Sequence, residues 1–360
     1  MRKVIAAYRY HTVTRIDNWI DGMMAEDKIT PQSKKTPNKS NSKYTVASLF
    51  AGIGGICRGF EEANCEVVWA NEIDKYACET YRKFRTEKVL VEGDVKLIKK
   101  IEPDFQILTA GFPCQPFSLA GYRKGFNDPR GKLFENIIGF LDYRPRAVFL
   151  ENVGNLLTHD NGNTCRYVID SLKSKNYHVV EPKVMNTKDY GNLPQIRNRI
   201  YFVAFKEKKD YDAFVYPCQV KLEKKIEDMV KWNNLQDEKY YYSEKNAKHF
   251  DTFESEMTDV GTIYQWRRVY VRANKNSLCP TLTANMGTGG HNVPIIRCGD
   301  NRIRKITPYE CSALQGFPEN FEFPDIADSH RYKQIGNSVS IPVVRRIAES
   351  MVKAMELNDS

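Results

Sequence analysis

The sequence predicts an α/β protein: a doubly wound, Rossmann-like parallel sheet carrying a smaller, irregular second domain. Three observations carry this. From Thr45 onward, short apolar runs rich in Val, Ile, Leu and Phe alternate with stretches of helical periodicity, the rhythm of buried parallel strands joined by crossover helices. A glycine-rich turn, "FAGIGG", directly follows the first run, where an open sheet presents its ligand edge. After residue 205 the rhythm breaks, and irregular spacing with many tyrosines and basic residues takes over.

The elements follow in order. "TVASLF" (45–50), "EVVWANE" (66–72), "FQILTAGF" (105–112), "RAVFLENV" (146–153) and "RIYFVAF" (199–205) read as strands. "KYACETYRKF" (75–84) and "KLFENIIGFLDY" (132–143) read as helices between them. "IPVVRRIAESMVKAM" (341–355) closes the chain with helical periodicity and Pro342 near its start, where proline is tolerated. Ahead of the sheet, "YRYHTVTRIDNWIDGMM" suits a short amphipathic helix, and "TPQSKKTPNKSNSK" reads as a flexible basic linker. The division expected is an arm over residues 1–43, a sheet domain over 44–205, a smaller domain over 206–325, and a final segment, 326–360, returning to the sheet.

Composition narrows the classes. A chain of 360 residues with 41% hydrophobic content is long and apolar enough for a packed core. Its 54 Lys plus Arg against 45 Asp plus Glu give a formal charge of +9, which suits a polyanionic partner without establishing one. The apolar runs fall far short of the roughly 18 residues of a membrane span, and the N-terminus lacks a secretory apolar core. No membrane and a cytoplasmic location are therefore expected. Nine cysteines scattered without a C-x-x-C pair argue against a disulfide framework and against zinc, so no metal is expected.

The glycine turn holds Gly52, Gly54 and Gly55, but Cys57 stands where the dinucleotide fingerprint needs its last glycine. Glu72 ends the second strand, about 20 residues on, where a carboxylate accepts from ribose hydroxyls. Asp94, in "GDV", sits at a third strand end and is suited to accept from an exocyclic amine. A glycine turn alone is as well explained as a tight turn. With Glu72 and Asp94 beside it, it describes an adenosine-type site with no pyrophosphate to cradle.

The stretch "LTAGFPCQPFSLAG" (108–121) holds Cys114 between Pro113 and Pro116 at the end of a buried strand. Inert packing is the plain alternative for a lone cysteine. The prolines, however, stiffen the loop as an aimed nucleophile requires, and the next strand brings Glu151 of "ENV" to the same sheet edge. A thiol needs positive neighbours to ionise; "QIRNRIYF" supplies Gln195, Arg197 and Arg199, the two arginines sharing one strand face.

Nine stretches, in order, carry a resemblance: "FAGIGG", "NEIDKYA", "GDV", "GFPCQPFS", "DPRGKLF", "ENV", "DYGNLPQIRNRIYFVAF", "RKITPYECSALQGFP" and "YKQIGNSVSIP". Over roughly residues 45–355 the chain resembles the DNA (cytosine-5)-methyltransferase family, bacterial restriction–modification type. The resemblance implies an S-adenosylmethionine-dependent methyltransferase sheet with a target-recognition domain, S-adenosylhomocysteine as by-product, and a duplex cytosine flipped out of the stack. It implies Cys114 as nucleophile at C6, Glu151 acting at N3, Arg199 on the cytosine carbonyl oxygen and Arg197 supporting the same pocket. Cofactor contacts carry over to Phe50, Gly52, Gly54, Glu72, Asp94, Pro113 and Asn337. Ile73 stands where family members often place an aromatic residue. For Asn337 a helix N-cap is the plain alternative.

The stretch "YQWRRVYVRANKNSLCPTLTANMGTGGHN" (264–292) mixes arginines with aromatics and ends in a glycine loop. Arg267, Arg268 and Arg272 are candidates for guanine edges or phosphates, although any one of them could equally be a solvated charge. Gln265 and Arg268 are the expected base contacts, Gln195 is expected on the DNA side, and Thr281, Leu282, Gly289 and Gly290 are expected to shape the loop. Double-stranded DNA is the expected partner, the working form a monomer, and a cognate restriction endonuclease is implied that need not bind. Two alternatives stand: an RNA C5 methyltransferase, using the same cysteine chemistry, and a DNA-binding regulator without catalysis. The intact Cys114, Glu151, Arg197 and Arg199 weigh against the second. An amino-methyltransferase is disfavoured, because its D/N/S-P-P-aromatic signature is missing from "GFPCQPF".

Overall fold

Strand β1 (Tyr44–Leu49) is central in an eight-stranded sheet of order β3-β2-β1-β4-β5-β8-β6, with β7 also on β8. These are β2 (Cys65–Glu72), β3 (Leu90–Glu92), β4 (Ile107–Gly111), β5 (Ala147–Val153), β6 (His178–Val179), β7 (Lys183–Asn186) and β8 (Asn198–Phe205). The computed structural model describes residues 44–85, 89–112, 131–267, 269–274, 276–287 and 294–359, all in one compact unit. The expectations for residues 1–43, Pro113, Cys114, Arg268, Gly289 and Gly290 lie outside the described residues.

β1 to β5 pair in parallel, and β8 runs antiparallel to β5. Strand order therefore reverses direction at β1 and β4, and the crevice at their carboxyl ends is where such sheets bind ligands. Alternation along each strand fills both faces. Val46, Phe149, Tyr201 and Val203 enter one core, while Ala47, Val148, Leu150 and Phe202 enter the other, as a period of two dictates.

On the first face lie α1 (Gly55–Glu62) and the last helix of the chain, which meet through Phe60, Val344 and Ile347. α2 (Lys75–Phe84) begins on Asp74, whose side chain accepts from Tyr76 N and Ala77 N at 3.1 and 3.2 Å. α3 (Gly131–Phe140) and α4 (Asn163–Ser174) cover the opposite face with Phe134, Ile137, Val168 and Leu172. α5 (Lys208–Ala213) packs beside β8, and Phe214, just after it, joins the first-face core.

A second, five-stranded sheet has the order β11-β10-β12-β13-β9. It consists of β9 (Tyr241–Tyr242), β10 (Ile263–Trp266), β11 (Val271–Asn274), β12 (Pro294–Arg297) and β13 (Ile303–Lys305), antiparallel throughout. α6 (Phe250–Glu256) lies on one side with Phe253 against Trp266. α7 (Pro308–Gln315) and α8 (Asp328–Asn337) build a shared core with the loop after β1, through Ile53, Leu282, Leu314, Phe317 and Ile335. α9 (Ile341–Glu356) is the returning helix, with Pro342 in its first turn.

Candidate active site

The turn after β1 is built for close approach. Phe50, Gly52 and Gly54 all have positive φ, at 53°, 57° and 85°. Gly54 caps α1 without a side chain, and the first turn of α1 carries no acid, so its N–H groups keep their attraction for an anion. A cavity of about 680 Å³ opens here, lined by Phe50, Gly52, Glu72, Ile73, Asp94 and Asn337 among others, and by Glu151 and Arg199. Six expected cofactor positions and two expected catalytic positions thus share one space.

Within it, Glu72 is held by backbone. Oε2 accepts from Gly52 N at 2.8 Å, and Oε1 accepts from Ile73 N and Asp74 N at 2.9 and 2.8 Å. This ties the glycine turn to the end of β2. Asp94 accepts from Lys96 N at 3.0 Å. Ile73 is 62% exposed, an apolar face left open at the rim. Asn337 ends α8 and does not cap α9, whose N-cap is Ser340; the capping alternative is set aside.

The chemical end lies where β4 and β5 stop. Gly111 pairs with Glu151 in register. Asn152 donates to Phe112 O at 2.9 Å and so fixes the chain just before Pro113 and Cys114. Glu151 is buried, with Oε1 2.9 Å from Arg199 Nε. Burial pushes the Glu151 carboxyl above its usual range, and the cations of Arg199 and Arg197 only partly oppose this. A carboxyl so placed keeps its proton to higher pH and can donate it to a ring nitrogen.

Arg197, grouped with the catalytic residues and expected to support their pocket, is 1% exposed and binds the carbonyls of Leu282, Gly336 and Ser338; it stands behind the cavity and does not line it. Two expectations are corrected by burial. Gln195, expected on the DNA side, is fully buried and donates to Leu314 O at 2.8 Å. Gln265, expected as a base contact, is 3% exposed, and its Oε1 accepts from Arg272 across the β10–β11 pair. Arg272 itself is exposed and Arg267 half-buried. Thr281 donates to Ile196 O at 2.7 Å, and Leu282 is buried.

Other residues were missed. Asn71 lines the cavity and donates to Val91 O and Gly93 O at 2.9 and 3.0 Å, holding β3 beside β2. Ser338 lines it too, its buried hydroxyl packed toward Gly55 and without a hydrogen-bond partner among the described residues. The signal for both was present, since Asn71 opens "NEIDKYA" and Ser338 lies in "GNSVS". Among the described residues no group of His, Cys, Asp and Glu is placed to hold a metal, and no helix is long and apolar enough to cross a membrane.

Comparison with known proteins follows the same outline. The family model described as C-5 cytosine-specific DNA methylase matches residues 44–353. The Type II methyltransferase M.Bsp6I of Bacillus sp. (strain RFL6) is 49% identical over 314 residues, covering 86% of this chain and 99% of that protein. M.HhaI of Haemophilus parahaemolyticus, also a Type II methyltransferase, is 36% identical, covering 83% and 91%. Among solved structures, S. pombe Dnmt2 methyltransferase superposes with a TM-score of 0.65 at 22% identity, covering 88% of this chain and 99% of that one; at that identity it shows the fold. A family match across nearly all the described residues, with close identity along almost the whole of a Type II enzyme, leaves one assignment: this chain belongs to the C-5 cytosine-specific DNA methylases and is a DNA cytosine-5 methyltransferase of the restriction–modification type.

Proposed function

We propose that the enzyme methylates C5 of one cytosine, flipped out of a short specific duplex sequence, with S-adenosylmethionine as methyl donor and a covalent Cys114–C6 adduct. The observation that carries this is the buried Glu151–Arg199 pair, 2.9 Å apart and opening into the same cavity as the glycine turn. The residues there fit the cofactor. Glu72 has acceptor capacity for ribose hydroxyls, Asp94 for an amine, and Phe50 and Ile73 offer apolar faces to a purine. The Ser338 hydroxyl, without a partner among the described residues, and the start of α1, capped by Gly54 with no side chain, suit a carboxylate. Bound there, S-adenosylmethionine supplies an electrophilic methyl carbon.

The chain's own residues then have distinct tasks. C5 of cytosine is a poor nucleophile within its electron-poor ring. The Cys114 thiolate adds to C6 and breaks the aromaticity, while Glu151 provides the proton at N3 that receives the displaced electron density. Arg199 holds the carbonyl oxygen of the ring and orients Glu151. After methylation a base removes the C5 proton, its electron pair restores the C5=C6 double bond as the C6–S pair leaves with the Cys114 thiolate, and N3 returns its proton to Glu151. Flipping the base is required because both faces of the ring must be reached.

The segment 206–325, with Arg267, Arg268 and Arg272, is assigned to target recognition, and the enzyme works as a monomer that protects host DNA alongside a cognate endonuclease. The test is direct. Incubation with labelled S-adenosylmethionine and random-sequence duplex, followed by mapping, should place the label on C5 of cytosine in one short sequence. The same duplex carrying 5-fluorocytosine should trap a covalent complex, since fluorine cannot leave as a proton. Label on tRNA instead of duplex, or no adduct at a mapped site, would refute the proposal.

A further inference from the structure

Arg197 is almost fully buried, yet among the described residues no carboxylate forms an ion pair with it. Its guanidinium binds backbone instead. Nη1 donates to Leu282 O at 2.8 Å, and Nη2 donates to Gly336 O at 3.0 Å and to Ser338 O. Desolvation, with Arg199 adding to it, pulls its pKa down to about 9. A charge this deep is costly unless its hydrogen bonds accomplish something that an apolar side chain could not.

The carbonyls belong to two separate stretches. Leu282 lies in the segment that follows β11, within the region read as meeting DNA. Gly336 and Ser338 lie at the junction of α8 and α9, which walls the cavity. The two stretches touch so closely that a Cβ on Gly336 would fall 2.2 Å from Thr283 C and 2.3 Å from Ala284 N. The strand entering β8 is tied to the same segment. Ile196 N donates to Cys279 O at 2.8 Å, Cys279 N to Pro194 O at 2.7 Å, and Thr281 Oγ1 to Ile196 O at 2.7 Å. Two residues beyond Arg197, Arg199 meets Glu151.

We propose that Arg197 is a positioning residue that couples target recognition to cofactor binding. Its planar fork clasps the recognition segment to the cavity wall, so displacement at either is felt at the other and at the catalytic pair. Lysine, a point charge on a flexible stem, cannot reproduce a fork that spans two stretches. The proposal rests on the cavity holding S-adenosylmethionine and on residues 264–292 meeting DNA. Because coupling is reciprocal, it can be read from the cofactor side alone.

The experiment measures the affinity for S-adenosylhomocysteine by calorimetry, with and without the mapped target duplex and with a scrambled duplex. Wild-type enzyme should bind it tighter by roughly 5–150-fold in the presence of target, the usual range for coupled sites, and unchanged with the scrambled duplex. In Arg197→Lys, whose side chain does not line the cavity, that factor should fall toward one. Thr281→Val, which removes one outer bond of the clasp, should give an intermediate factor and stands in if the lysine variant fails to fold. A factor retained in folded variants, or a wild-type factor of one, overturns the proposal. Wild-type enzyme that binds no S-adenosylhomocysteine at all would instead remove the cofactor assignment beneath it.

Discussion

Glu151 and Arg199 act on each other through charge, and the direction of that effect is open to measurement. Burial raises the carboxyl and Arg199 lowers it. In Arg199→Gln one opposing cation is gone, so the Glu151 pKa rises further and the protonated acid persists to higher pH. The basic limb of kcat/KM should therefore move upward in that variant, even as kcat falls through the lost contact to the ring. Glu151→Gln should lose that limb and about 10²–10⁴ in rate, the usual share of a positioned acid. A basic limb that stays in place in Arg199→Gln would mean that another group sets it. At this scale the sequence was most informative where a residue type has few alternatives: a carboxylate at a strand end, as Glu72 and Glu151, both on the cavity, show. It was least informative where tertiary burial decides, as Gln195, Gln265 and Arg197 show. Gln195 and Arg197 lie inside a matched stretch and Gln265 between two of them, and nothing local distinguishes a polar side chain facing DNA from one holding a carbonyl. The positive φ of Phe50 was likewise invisible, because a bulky residue adopts the left-handed region only when its surroundings impose it.

Elements were legible in proportion to their periodicity. β1, β2, β4, β5 and β8 and helices α2 and α9 fall where alternation and helical spacing place them, because their faces are buried on a fixed period. β6, β7 and β9 are two to four residues long, too short for any period to register. α8 was missed because "DSHRYKQIGN" is mostly polar along its length; it is helical through packing, with Tyr332 and Ile335 buried. α7 shows how local and tertiary terms join. Thr307 accepts from Glu310 N at 3.2 Å, and Glu310 accepts from Thr307 N at 2.7 Å, a capping box. The same Glu310 carboxylate accepts from both terminal nitrogens of Arg304 at 2.8 and 2.7 Å, with the Arg304 side chain fully buried. Thr307→Ala should cost about 1 kcal/mol in urea denaturation, the loss of one cap. Glu310→Ala also strands a buried cation and should cost roughly 3–5 kcal/mol. Equal losses for the two would show that the ion pair adds nothing to the cap.

For the whole molecule, the family match begins at residue 44, where β1 starts. Deleting residues 1–43 should thus leave methylation of the mapped site intact; a folded but inactive truncation would place the arm within the catalytic unit. Sequence choice should lie at the far end, on the second sheet. The positive balance of the chain supplies attraction to any duplex, since phosphate contacts are indifferent to sequence. Discrimination needs a guanidinium held in a fixed plane. Arg272 meets that requirement: it lies on the edge strand β11, donates to Gln265 Oε1, and reaches Asn274 Oδ1 at 3.3 Å. Gln265 is then the support rather than the reader. Arg272→Ala should reduce preference for the target over a scrambled duplex by about 1–3 kcal/mol. Gln265→Ala, which frees the same guanidinium, should lose part of that preference with little change on scrambled DNA. Binding titrations on both duplexes over a range of salt separate the possibilities. If Arg272→Ala weakens both duplexes equally and lowers the salt slope by about one, the side chain grips phosphate, and the base readers must be sought in the loop after Leu282.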